Sequence, residues 1–167
     1  MNFIHYLTAE SKVATGLIIA EKLFHTIEFN EPGYQTGKEA LDDCWKWLAG
    51  ENVTGDYLYN YIDSGDYIDI TEFANDEENR LKQHAWYAVL DAVSYTIYQA
   101  YEKENVKIVP QAMESIDDDT LKTLGENAIE SGLFNLESIN NIKTYILEND
   151  SSGSKLKRPT SLIVKLL

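Results

Sequence analysis

The sequence predicts an all-α protein, a single-domain bundle of about six helices with a short C-terminal tail. Three observations lead to this prediction. Apolar residues recur at spacings of three and four along most of the chain, which is the helical period. Residues that start or stop helices separate these apolar stripes. The length of 167 residues fits one domain, and a hydrophobic content of 44% is enough for a core.

The first two predicted helices occupy the N-terminal third of the chain. Thr8 can cap the first helix, whose apolar stripe runs from Val13 to Ile27, and Glu31-Pro32-Gly33 stops it. Thr36 can cap the second helix, because a glutamate follows at the spacing of a capping box. Gly50 then ends that helix.

The next segment, Gly55 to Ile70, reads GDYLYNYIDSGDYIDI and is ambiguous. Its alternating tyrosines are typical of a strand. Its apolar residues also fit one face of a helix that Thr54 can cap. Because the rest of the chain is so strongly helical, we expect a short helix from Asp56 to Ile62, followed by a turn at Ser64-Gly65.

Three further helices are predicted after this segment. The longest runs from about Glu77 to Glu102, and its apolar residues cover so much of its circumference that it should be the central helix. The acidic triplet Asp117–Asp119 suits the start of the next helix, which Ser131-Gly132 stops. The last predicted helix runs from about Leu136 to Leu147.

The composition changes near the C-terminus, so we divide the chain into a helical domain, residues 1–150, and a linker with a basic tail, residues 151–167. Residues 149–154 have the composition of a flexible linker, and Lys155–Pro159 is basic. The final segment, Ser161–Leu167, is apolar enough to dock as a short strand or a turn of helix.

The net charge of −14 argues against nucleic acid as a partner, because phosphate contacts need a basic surface. A basic protein would instead be attracted to such a chain. The alternative is that the excess carboxylates only keep the chain soluble. The sequence contains neither a signal-peptide pattern nor an apolar run long enough to span a membrane, so we expect a cytoplasmic protein without membrane association.

The sequence offers little that indicates catalysis, a metal or a cofactor. The three histidines lack any ligand spacing, and neither Asp56 nor Asp63 begins a calcium-loop pattern. The single cysteine, Cys44, is expected to be a buried, inert thiol. With 28 acidic residues, neighbouring carboxylates arise from composition alone. We therefore predict no catalytic residues, no metal ligands and no cofactor.

The unusual feature is an acidic, tyrosine-rich segment. Between Asp56 and Arg80 there are eight acids and one base, which gives half of the net charge. Four tyrosines and three isoleucines in Gly55–Ile70 exceed one buried stripe, so some tyrosines must face outward. Exposed tyrosines and aspartates suit a protein interface, although a merely solvated acidic face is the alternative. The candidate partner-binding residues are Asp56, Tyr57, Tyr59, Tyr61, Asp63, Asp66, Tyr67, Asp69, Glu72 and Asp76.

Part of the chain, from about Gly37 to Leu133, resembles the sixth family of immunity proteins from bacterial polymorphic toxin systems. The resemblance lies in aromatic and small residues within helices and includes no catalytic signature. The residues that carry it are Trp45, Trp47, Gly55-Asp56-x-Leu58, Trp86-Tyr87-x-Val89-Leu90-Asp91 and Asp117-Asp118. We expect the three tryptophans to lie mostly in the core.

The resemblance implies a small, cytosolic, all-α protein that binds the C-terminal domain of a cognate toxin and neutralises it by occlusion. Toxin domains of such systems are often nucleases, whose basic substrate channels would complement the acidic segment. Two alternatives remain open. One is a metal-dependent enzyme that uses carboxylates in a cleft of the bundle. The other is a regulatory scaffold or homodimer whose acidic face meets its own basic tail.

Overall fold

The structure is a computed structural model that describes residues 2–65, 68–150, 156–160, 163–164 and 167. These residues form seven α-helices and two short 3-10 helices and include no strand, which confirms the all-α prediction. The 3-10 helices are Asn2–Tyr6 and Gln111–Met113. The α-helices are α1 Ala9–Phe24, α2 Tyr34–Ala49, α3 Gly55–Tyr59, α4 Ile70–Asp76, α5 Arg80–Glu104, α6 Asp118–Glu130 and α7 Leu136–Asp150.

The starts of α1 and α2 differ in how well the sequence predicted them. The hydroxyl of Thr8 accepts a hydrogen bond from the backbone N–H of Ser11 at 3.2 Å, so the predicted cap of α1 is confirmed. The cap predicted at Thr36 is wrong, because α2 begins two residues earlier, at Tyr34. Gly33 precedes it with a φ of 80°, a left-handed conformation that glycine adopts readily. The C-terminal cap at Gly50 is confirmed.

The central position predicted for the longest helix, α5, is confirmed, because α5 contacts α1, α2, α3, α4 and α6. It begins at Arg80 and not at Glu77, since the side chain of Asn79 accepts from the backbone N–H groups of the first turn. The three residues before Arg80 belong instead to the connection from α4. That helix is the one the sequence analysis did not predict.

The core is aromatic at the point where α1, α2, α4 and α5 meet. The ring of Trp86 stacks on Phe73 at a centroid distance of 5.2 Å and meets Phe24 edge-on at 5.7 Å. Trp45 and Trp47 are buried as well, so all three tryptophans lie in the core as expected. Burial raises the pKa of the Cys44 thiol to about 12, which fits the inert thiol that was predicted.

The tail packs on the helical domain where it is described. Leu156, Pro159, Val164 and Leu167 are buried. Arg158 reaches two carboxylates, with Nε 2.6 Å from Glu21 and Nη1 2.6 Å from Asp42. Residues 163–164 are helical, while the rest of the predicted linker and docking segment, 151–155, 161–162 and 165–166, lies outside the described residues. The boundary at residue 150 stays a prediction.

Among the described residues, none of the helices is both long and apolar enough to cross a membrane.

Candidate functional site

The acidic segment folds as two short helices and the connection between them. Thr54 caps α3 as predicted, because its hydroxyl accepts from the backbone N–H of Tyr57 at 3.2 Å. Gly55 is needed at the first position, since a Cβ there would lie 2.6 Å from the ring of Tyr101. Helix α3 therefore lies directly against α5, which explains why a glycine stands at position 55. The alternating tyrosines do not form a strand.

The second helix, α4, starts at a complete capping box. The carboxylate of Asp69 accepts from the backbone N–H of Thr71 at 2.9 Å and of Glu72 at 3.3 Å. The carboxylate of Glu72 in turn accepts from the backbone N–H of Asp69 at 3.2 Å. The spacing Asp-x-x-Glu is the sequence signal that could have predicted α4. A further hydrogen bond, from the Thr71 hydroxyl to the Ile62 carbonyl at 2.7 Å, ties the start of α4 to the end of the α3 turn.

Two of the predicted tyrosines are half-buried and are held by carboxylates. The hydroxyl of Tyr59 donates to Asp63 at 2.8 Å, and that of Tyr61 donates to Asp43 of α2 at 2.6 Å. Burial and the carboxylate raise the pKa of Tyr59 to about 12, and burial followed by the bond to Asp43 raises the pKa of Tyr61 as well. Both hydroxyls therefore remain protonated donors at neutral pH.

Tyr57 is the predicted tyrosine that faces outward among those described. Its side chain is 52% exposed, and its ring meets Tyr61 edge-on at a centroid distance of 6.1 Å. Ile68, which was not predicted, is 63% exposed close by in sequence. Tyr67 and Asp66, both predicted as partner-binding residues, lie outside the described residues.

The predicted acidic residues occupy three different environments. Asp63 and Asp76 are exposed, and Glu72 is exposed beside its capping bond. Asp56 is exposed and accepts a hydrogen bond from the Tyr101 hydroxyl at 3.0 Å. Asp69 is buried, and its two carboxylate oxygens accept backbone N–H groups from both sides of the connection. Asp69 therefore holds the loop and the helix in place and offers little surface to a partner.

A groove of about 550 Å³ lies between the α3–α4 connection, α5 and the segment that follows α5. We call it the acidic groove. Its carboxylates are Asp63, Asp69, Glu72 and Asp91, and its apolar walls include Ile62, Leu90 and Ile116. It brings together three of the predicted residues, while Asp56, Tyr57 and Asp76 lie outside its lining.

Asp91 is the functional candidate that the sequence analysis missed. It is half-buried on α5, and among the described residues no hydrogen bond or ion pair to its carboxylate is present. Burial raises its pKa to about 7. The signal in the sequence is an aspartate that shares its helix face with Ala88 and Tyr95, which border the apolar stripe of the central helix.

The acids of this region form no ion pair where the structure describes the chain. Within the described residues, the ion pairs join Lys12, Lys38, Lys46, Lys82, Arg158 or His5 to acids that lie outside Asp56–Glu78. Nor is any group of three or more His, Cys, Asp or Glu side chains in the described part of the chain arranged to hold a metal ion. The arrangement can therefore attract a cationic group from outside the chain.

One of three comparisons with known proteins produced a match. The family model described as "Immunity protein Imm6" matches residues 11–131, which is well over half of the chain. No curated protein and no solved structure matches it. The matched range contains most of α1 and all of α2 to α6, and therefore both the acidic segment and the acidic groove. The chain belongs to the Imm6 family of immunity proteins.

Proposed function

We propose that this immunity protein neutralises a cognate toxin domain by binding it through the surface of α3, α4 and their connection, so that the toxin's active site is occluded. The observation that carries this proposal is the set of acids between Asp56 and Glu78, which form no ion pair among the described residues. Unneutralised carboxylates beside exposed apolar side chains are typical of a surface that meets a basic partner.

The proposed contact residues follow from exposure. Tyr57 supplies a large, rigid ring at a low cost in conformational entropy. Asp63, Glu72 and Asp76 supply exposed carboxylates. Asp66 and Tyr67 stay in the proposed set from the sequence alone, together with Asp56, Tyr59 and Tyr61. Asp69 is assigned to holding α4 in position.

A basic partner suggests the chemistry of the toxin. An enzyme that acts on nucleic acid needs a basic channel for phosphate, and an acidic protein surface can occupy the same channel. We therefore propose that the toxin is a nuclease and that the immunity protein acts in the cytoplasm, where such a toxin finds its substrate. The immunity protein needs no chemistry of its own in this scheme, because occlusion requires only binding.

The proposal is tested by capture and neutralisation. The tagged protein is used to capture partners from lysate of cells that carry its own genomic neighbourhood, at about 50 and 500 mM salt, which brackets strong and weak screening. We expect a basic toxin domain to be retained at low salt and depleted at high salt. The captured domain is then produced alone and assayed for nuclease activity and for growth inhibition, with and without the immunity protein.

The outcomes separate the parts of the proposal. A toxin without nuclease activity that is still neutralised would overturn the nuclease assignment and leave the inhibitor role. A toxin that remains active in the stable complex would overturn occlusion. If the chain captures no partner and does not protect cells from the neighbouring toxin, the inhibitor role itself is wrong.

A further inference from the structure

The acidic groove combines apolar walls with carboxylates. Its walls are apolar, with Ile62, Leu90 and Ile116, yet carboxylates stand among them. An apolar wall lowers the local dielectric and makes an unneutralised carboxylate costly. Asp69 has a structural task in capping α4, and Glu72 completes the capping box.

Asp91 has no such task. It lies in the central helix with its neighbours packed, and within the described residues nothing donates to its carboxylate or pairs with it. A half-buried acid in that position is costly for the free protein, and a cation that reaches it offsets that cost.

The groove has the dimensions and lining for a long cationic side chain. Its volume of about 550 Å³ lies within the usual range for a small-ligand site. Arginine and lysine bury an apolar stem and keep a charged head at its end. Ile62, Leu90 and Ile116 can pack against such a stem, and the carboxylates of Asp91 and Asp63, which line the same groove, can meet the head.

We propose that the acidic groove is a socket for one basic side chain, arginine or lysine, that projects from the toxin domain. The socket rests on the proposed function and adds an anchor point to it, at the rim of the α3–α4 surface. Asp91 pairs with the inserted cation, and Glu72 and Asp63 flank it. The apolar walls exclude water from the pair, which strengthens it.

The first test needs no toxin. N-acetyl-arginine amide is titrated to millimolar concentration into the isotope-labelled full-length chain and followed by NMR. Saturable shifts are expected at Leu90, Asp91 and Ser94, and N-acetyl-citrulline amide, which is neutral and of similar shape, should cause none. Asp91→Asn should abolish the arginine shifts. Arginine shifts that are absent, scattered over other acidic surfaces or equal to those of citrulline would overturn the socket.

The second test uses the toxin domain captured above and separates the two proposals. Asp91→Asn and the charge-neutral Ala112→Trp, which fills the groove, are each expected to weaken toxin binding at least tenfold. Glu137→Gln removes one exposed charge from α7 and serves as the matched control, with an expected change of less than twofold. If the groove binds the arginine probe but both variants hold the toxin as tightly as the parent, the groove takes free cationic small molecules and the toxin assignment is wrong. A toxin that is bound and neutralised in that case leaves the proposed function intact.

Discussion

Two acidic regions of this protein differ in how their charge is neutralised. In the Arg158 cluster, formed by Glu21, Asp42 and Arg158, the guanidinium bonds both carboxylates, and Trp45 donates to Glu21 at 3.0 Å. Lys38 adds an ion pair to Asp42 at 2.7 Å. In the acidic groove, the carboxylates of Asp63, Asp69, Glu72 and Asp91 have no cation beside them within the described residues.

The difference shows in the pKa values. Burial raises the pKa of Glu21, and the attraction and hydrogen bonds of Arg158 oppose that rise. For Asp42, the bonds from Lys38 and Arg158 outweigh burial, so its pKa is lowered. For Asp91, burial acts unopposed. The comparison teaches that a cation within reach offsets the effect of burial on a carboxylate, as Arg158 does for Glu21, and that Asp91 has no such offset among the described residues.

The largest expected effect is on toxin binding. Replacing Asp63 and Asp76 together by lysine should weaken the affinity for the captured toxin domain by about two orders of magnitude, because breaking one desolvated charge pair typically costs about 2–5 kcal/mol. Calorimetry measures the affinity, and circular dichroism checks that helicity is kept. Asp69 is left intact because it caps α4. The control, Glu137→Lys, makes the same change from a negative to a positive charge on α7. Equal affinities for all three proteins would show that the acidic segment is only a solvated face.

The second prediction concerns the stability of the Arg158 cluster. Arg158→Ala should lower the free energy of unfolding by about 2–3 kcal/mol, because it leaves the buried Glu21 without its counter-ion. Denaturant unfolding gives the value. Lys157→Ala removes a neighbouring, exposed cation and should change it by less than about 0.5 kcal/mol. Equal losses from the two variants would mean that the tail is held by its apolar residues alone.

Replacing Asp91 by a neutral residue should raise the free energy of unfolding, whereas Arg158→Ala should lower it. Its pKa of about 7 in the folded protein lies above the value of about 4 for an unfolded carboxyl group, so the folded state binds the extra proton. The stability that depends on Asp91 is therefore present below about pH 4 and is lost as the pH rises through 7. Asp91→Asn should stabilise the protein by about 1–3 kcal/mol at pH 8 and by little at pH 4.

The surroundings of Asp91 support this sign. The titratable groups that line the cavities on its two sides are Asp63, Asp69, Glu72, Tyr87, Glu126 and Glu130. None of them is a cation, so neutralisation removes the desolvation cost of the carboxylate without breaking an ion pair to any of them. Urea unfolding of both proteins across this pH range measures the difference. A destabilised Asp91→Asn protein at pH 8 would show that the parent carboxylate has a stabilising partner and would end the contrast with the Arg158 cluster.

The smallest expected effect tests whether Asp69 only holds α4 in position or also contacts the toxin. Asp69→Ala should cost about 1 kcal/mol of stability through loss of the α4 cap, whereas Asp69→Ser, which can still cap, should cost much less. If Asp69 only positions α4, the serine variant should also keep the toxin affinity of the parent. A serine variant that is stable but binds the toxin tenfold less tightly would return Asp69 to the set of contact residues.

Much of the fold could be predicted because its signals are local. Thr8, Thr54 and Gly50 act on hydrogen bonds within one turn of their own positions, and each was correctly assigned from the sequence. The apolar residues around most of α5 likewise predicted a central position for this helix, which the structure confirms. The errors are also local. Helix α2 begins after Gly33, which has a positive φ, and not after Thr36. The sequence analysis also overlooked the capping box formed by Asp69 and Glu72.

The candidate site was predicted in composition but not in arrangement. The sequence alone determined that this protein is helical, strongly acidic and rich in tyrosine between Asp56 and Arg80, because period, charge and residue type are properties of the chain itself. Only the tertiary structure decided that Asp69 is buried, that Tyr57 is exposed and that Asp91 joins the groove. Those outcomes depend on which residues distant in sequence pack together, and packing fixes both the burial of a carboxylate and the cation within its reach.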